Sequence, residues 1–109
     1  MMTREEAAEA IEVLLAAKDR ILDGWTQGAY ARNAAGESVY ADNPEAVAWC
    51  ARGAVLADIR TRAYGAALDV LDGATPVSVA LFNDDWPTTT KEQVVSLFDD
   101  AVRTFKDRL

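Results

Sequence analysis

The chain has 109 residues, half of them apolar and 27% charged, which suits one folded domain and excludes disorder, because a chain this apolar buries enough surface to offset the entropy of folding. It contains no histidine and a single cysteine, which removes Ser-His-Asp and Cys-His catalysis, histidine-ligated metals, multi-cysteine metal sites and an internal disulfide. A net charge of -7 opposes direct nucleic-acid binding, and neither a bilayer-length apolar stretch nor a basic-then-apolar opening is present, so a cytoplasmic protein without membrane contact, metal or cofactor is expected.

The first element is a helix over residues 4–23. Thr3 and Glu6 form a capping box at its start, and Ala7, Ala10, Ile11, Leu14, Ile21 and Leu22 recur at three- and four-residue steps as one apolar stripe. Gly24 suits the left-handed position that ends such a helix. Residues 25–43 lose the helical period. Asn33-Ala34-Ala35-Gly36 is turn chemistry between Ala29–Arg32 and Ser38–Tyr40, which predicts a small β-hairpin lying against the helices.

Asp42-Asn43-Pro44-Glu45 reads as a cap with a first-turn proline, opening a second helix from Ala46 to Ile59. That helix is apolar on most faces and is therefore expected to be the buried hub. A third helix begins near Thr61, with Ala63, Tyr64, Ala67, Leu68 and Leu71 on one side, and closes at Gly73; the pattern fits either a separate helix or the continuation of a kinked rod. Thr75-Pro76 favours a short helix over Val77–Phe82, while the alternation of Val77, Val79 and Leu81 is that of a strand. After a loop at residues 83–87, Thr89 with Glu92 or Thr90 with Gln93 caps a final helix that turns Val94, Leu97, Phe98, Ala101, Val102 and Phe105 inward. The predicted fold is mainly α: one domain, 1–109, of four to five helices around a central buried helix, with a small β-hairpin between the first two.

Few residues could carry chemistry. Cys50, placed two turns into the second helix and without an imidazole to activate it, reads as a small buried hydrophobe. Asn83, Asp84 and Asp85 offer oxygen ligands but match no calcium loop, and read first as turn and cap residues. Trp25, Gln27, Tyr30 and Arg32 precede and line the hairpin, and Trp49 sits in the second helix; such aromatics build a core or, beside Arg and Gln, a binding site. The charge is uneven: residues 69–100 hold Asp69, Asp72, Asp84, Asp85, Glu92, Asp99 and Asp100 against Lys91 alone. This segment is a solvated surface or a candidate acidic face for a basic partner.

Trp25-x-Gln27-Gly28, Ala31-Arg32 with Gly36, Trp49-Cys50-x-x-Gly53-Ala54, and Asn83-Asp84 before a capped helix together resemble a family of short proteins of unknown function from bacteria and their phages. The resemblance spans roughly residues 7–105, and departs from the family's pattern at Phe82, where an aromatic, often Trp, precedes Asn-Asp; here the tryptophan falls at Trp86. It implies a shared site of Gln27, Arg32, Trp49, Cys50, Asn83 and Asp84, and a prokaryotic cytoplasm.

Three functions fit. The first is a non-enzymatic interaction domain with an unknown protein partner, for which a basic one fits the charge, or a second copy of itself. The second is an inhibitor that uses the 69–100 segment to block a nucleic-acid-handling protein. The third is a degenerate hydrolase around Cys50, Asn83 and Asp84, which the absence of histidine opposes.

Overall fold

The structure, a computed structural model, describes residues 3–58, 61, 63–73, 79, 83, 84, 89–107 and 109. Among them run α1 (Arg4–Asp23), β1 (Ala31–Arg32), β2 (Ser38–Val39), β3 (Ala48–Trp49), α2 (Ala51–Leu56), α3 (Tyr64–Gly73) and α4 (Lys91–Lys106). The mainly helical prediction is correct, and the hairpin forms part of a three-stranded antiparallel sheet of order β2-β1-β3.

The two long helices form where amphipathic period and caps agree. Thr3 Oγ1 accepts the Glu6 N–H at 3.1 Å, and its hydroxyl donates to the Glu6 carboxylate at 3.3 Å instead of Glu6 reaching the Thr3 backbone. Of the two possible caps for the last helix, Thr90 with Gln93 forms, as a reciprocal capping box. The α1 stripe of Ala7, Ala10, Leu14, Ala17 and Ile21 is fully buried, as are Val94, Phe98, Ala101 and Phe105 of α4. Small alanines of α1 and the two phenylalanines of α4 share one core cluster, and the two helices pack against each other.

The hub is therefore α1, which packs against α2, α3 and α4, and the expectation that residues 46–59 form a central helix is overturned. Among the described residues of that stretch, only Ala51–Leu56 is helical. Asn43 Oδ1 accepts the Glu45 N–H in a local turn, so Asn43-Pro44 does not cap a helix. Val47 N–H then donates to Arg32 O, and Trp49 N–H to Gly24 O, both at 2.9 Å. Those donors are taken by the sheet and by the segment after α1, which leaves no i−4 ladder before Ala51. Helices α2 and α3 are separate, with a turn at Ala57–Asp58 between them. Arg20 of α1 pins this turn: its guanidinium donates to Ala54 O at 2.9 Å and forks onto both Asp58 oxygens at 2.9 and 3.1 Å.

Gly24 is also corrected. Its φ of -171° is extended backbone rather than left-handed, and glycine is needed there for a different reason. A Cβ would lie 2.1 Å from Val47 O, so only glycine admits the chain of β3 this close to the end of α1. In the hairpin turn the expectation holds: Gly36 has a φ of +82°, and Asn33 Oδ1 accepts the N–H groups of Ala35 and Glu37. Of the short element expected over 77–82, only Val79 is described, and it is helical.

Candidate functional site

The sheet is small but its register is informative. Ala31 pairs with Val39 on one side and Trp49 on the other, and Arg32 with Ser38 and Ala48. Extending that register by one residue sets Tyr30 between Tyr40 and Cys50, and Cys50 N–H indeed donates to Tyr30 O at 3.1 Å. Alternation then gives the sheet two faces. Ala31 and Trp49 turn toward the core, while Tyr30, Ser38 and Tyr40 face outward. Beyond β3 the segment at Trp25 adds a parallel bridge to Trp49, with Thr26 N–H donating to Trp49 O.

Asn83 is the buckle that joins this sheet to the helices. It is fully buried, and all of its side-chain capacity is used. Its Oδ1 accepts the Trp25 Nε1–H at 2.6 Å and the Ala51 N–H at 3.0 Å; its Nδ2 donates to Thr26 O at 3.0 Å and Asp84 Oδ1 at 2.9 Å. The Asn83 carbonyl accepts from Gln27 Nε2 at 2.8 Å, and Asp84 Oδ1 also accepts the Gly28 N–H at 3.0 Å. Arg32 closes the periphery, donating from Nε to Thr26 Oγ1, from Nη1 to Gly36 O and from Nη2 to Gln27 O. Trp49 Nε1–H donates to Ala41 O at 3.0 Å, which fixes the approach to β3.

Cys50 does not lie two turns into a helix, as the sequence suggested. It is the N-cap of α2, extended at φ -79° and ψ 171°, and its Sγ accepts the Gly53 N–H at 3.2 Å. Cys50 and Asn83 thus divide the start of α2 between them, each taking one of the N–H groups that a helix leaves unpaired. Burial pushes the thiol above its ordinary value of 9.0; the Gly53 N–H opposes this, and the charge of Asp84 adds to it. At neutral pH the sulfur is therefore a protonated cap rather than a thiolate nucleophile.

Two measurements check this. A disulfide reagent should modify native Cys50 slower than the denatured chain by on the order of a hundredfold or more, and equal rates would contradict the assignment. Because the folded pKa is raised, the stability held by the protonated thiol is intact below pH 9.0 and is lost as pH climbs above it. Cys50→Ser, which keeps a capping oxygen, should stay within about 1 kcal/mol of the parent at pH 7 and lack that alkaline loss.

The sequence-derived candidate residues Trp25, Gln27, Arg32, Trp49, Cys50, Asn83 and Asp84 therefore come together where the sheet meets Asn83 and the start of α2. The candidate acidic face does not form a comparable unit. Asp72 accepts the Val79 N–H, Asp84 belongs to the Asn83 cluster, Asp99 pairs with Lys18 at 2.6 Å and Asp100 with Arg103. Asp69 and Glu92 are exposed, on separate helices, and Asp85 lies outside the described residues. A charge count along the chain cannot see such internal pairing.

Over the buckle lies a pocket of about 330 Å³ bounded by Gly28, Ala29, Tyr30, Ser38, Cys50 and Asp84. Tyr30 and Ser38 also border a second hollow of about 430 Å³ that runs on to Tyr40 and Asn43. The two hollows adjoin at Tyr30 and Ser38, the first bordered by the Asp84 carboxylate and the second by Tyr40. Among the described residues no group of three or more acidic, cysteine or histidine side chains could hold a metal, and no helix is long and apolar enough to cross a membrane.

The chain belongs to the DUF6197 family, a family of unknown function, whose model matches residues 5–104. No curated protein and no solved structure matches it.

Proposed function

We propose that the protein is a non-enzymatic interaction domain that presents the outer face of its sheet to a basic protein partner. One observation carries this reading: large apolar side chains stand uncovered in an acidic setting. Tyr40 is 83% exposed and Tyr30 50%. Exposed tyrosines beside such hollows are typical binding anchors, since each adds contact area at small entropic cost. Around them Glu37, Asp42, Glu45 and Asp84 are exposed, whereas Arg32, the one base between residues 25 and 50, spends its guanidinium on internal hydrogen bonds. Such a rim selects a cationic partner.

The buckle beneath supplies rigidity, and the capped, protonated Cys50 supports a binding role over nucleophilic chemistry. The same reading sets the protein in a bacterial or phage-infected cytoplasm, in keeping with the resemblance read from its motifs.

The test is capture from the native host with the parent and with a Tyr30→Ser/Tyr40→Ser double variant, at low and high salt. The expected result is a defined basic protein held by the parent at low salt, lost at high salt by screening of the rim charges, and absent from the double variant. Equal retention by the double variant overturns the tyrosine face, and capture through residues 69–100 instead would favour the inhibitor role.

A further inference from the structure

We propose that the pocket beside Asp84 seats an arginine side chain of that partner; the inference rests on the reading above and deepens it. The pocket's described walls offer a cation what it requires. The Asp84 carboxylate is fixed in place, because its Oδ1 accepts from Gly28 N–H and Asn83 Nδ2, yet the residue remains exposed. Tyr30 contributes a half-exposed aromatic ring and Ser38 a hydroxyl, and no lysine or arginine lies among the described lining residues. A ring and a carboxylate at one cavity suit a guanidinium, which stacks on the first while donating to the second. It is more weakly hydrated than an ammonium and so costs less to bring into a pocket with Cys50 at its floor.

Arg32, whose Nη2 lies near Gly28, does not compete for the position. The Nε, Nη1 and Nη2 atoms of Arg32 are held by Thr26, Gly36 and Gln27. The adjoining hollow toward Tyr40 and Asn43 gives room for the residue next to the arginine, so the two hollows read an arginine within a chain rather than an isolated cation.

The proposal is tested by NMR titration of the intact protein with acetyl-Gly-Arg-Gly-amide, with its citrulline counterpart, and with free guanidinium. The arginine peptide is expected to shift the amides of Gly28, Ala29, Tyr30, Ser38 and Asp84 saturably, with a Kd on the order of 1 mM, and the isosteric neutral citrulline peptide is not. Guanidinium alone should bind at least about tenfold more weakly than the peptide, and equal affinity would assign the site to a small cation instead. Asp84→Asn keeps the Oδ1 acceptor of the buckle while removing the charge, so it should weaken the peptide about tenfold or more without altering the remaining spectrum. Ser38→Lys, outside the Asn83 cluster, puts a cation at the pocket and should abolish binding independently. Absence of saturable shifts, or equal shifts from citrulline, overturns the arginine assignment. If the double tyrosine variant still loses its partner in that case, the face reading stands; if it does not, both fall.

Discussion

Replacing Asn83 by alanine is expected to lower the folding free energy by about 3–5 kcal/mol, measured by urea unfolding, which is a third or more of the total for a domain near the lower end of the usual range. The magnitude follows from what is stranded. Trp25 Nε1–H, part-buried, and Ala51 N–H, buried, both lose their acceptor, and an orphaned buried donor costs about 1–3 kcal/mol. The tie to Thr26 O is lost as well, which frees the segment that carries Gln27 and Gly28. Trp25 emission should change with the loss of its indole partner, giving a second readout from the native state. A cost below about 1 kcal/mol would mean that the sheet and α2 hold together without this residue.

Asn83→Asp separates acceptance from donation. The new carboxyl could still accept from Trp25 and Ala51, but in its charged form it would face Asp84 Oδ1 and Thr26 O without a proton to offer. Its folded pKa would therefore lie above its unfolded one. The variant's deficit against the parent should be smallest at low pH, where the carboxyl is protonated in both states, and should grow as pH rises through the folded value. A deficit that is flat with pH would place the lost stability elsewhere than in this pair of contacts.

How much of this was legible in the sequence depends on where the information sits. Helices α1 and α4 were readable because caps and a sustained apolar period act over many consecutive residues. The hairpin was readable because Asn33 and Gly36 specify its turn locally. Strand β3 was not, since two residues have no periodicity and the apolar stretch 46–59 is equally good helix until Gly24 and Arg32 claim the N–H groups of Trp49 and Val47. That single error displaced Cys50 from a helix start to a helix interior and so hid its capping role. Most side chains of the buckle, Trp25, Gln27, Arg32, Asn83 and Asp84, stand out by their chemistry, whereas Thr26 and Ala51, which take part largely through backbone groups, do not. The mutual geometry of the buckle was not legible, because Asn83 meets Trp25 and Ala51 across 58 and 32 residues of chain. Tyr40 and Ser38 were seen only as hairpin residues; pairing the predicted strands and following alternate positions would have placed both beside Tyr30 on the outer face.

Gly53→Ala should rank with Asn83→Ala in effect, and for a purely steric reason. Helix propensity alone predicts the opposite, because alanine in a helix interior is favoured over glycine by about 1 kcal/mol. The added Cβ would, however, sit 1.9 Å from Tyr30 O and 2.7 Å from its carbonyl carbon. Those are backbone atoms, and the same oxygen accepts the Cys50 N–H, so relief requires α2 to move away from the sheet. Overpacking of this kind costs typically about 1–3 kcal/mol and more where backbone must shift, so a net loss of about 2–4 kcal/mol is expected in urea unfolding. The control is Gly65→Ala, the second residue of α3, where nothing lies within 4 Å of the new Cβ. There the propensity gain is unopposed, and the variant should be unchanged or more stable by up to about 1 kcal/mol. Opposite signs at two helical glycines would establish that Gly53 is required by the contact between α2 and the chain at Tyr30, the contact that also holds the tyrosine face in place. A neutral Gly53→Ala would show that α2 and the sheet can separate without loss, and the rigid backing proposed for the tyrosine face would then have no support.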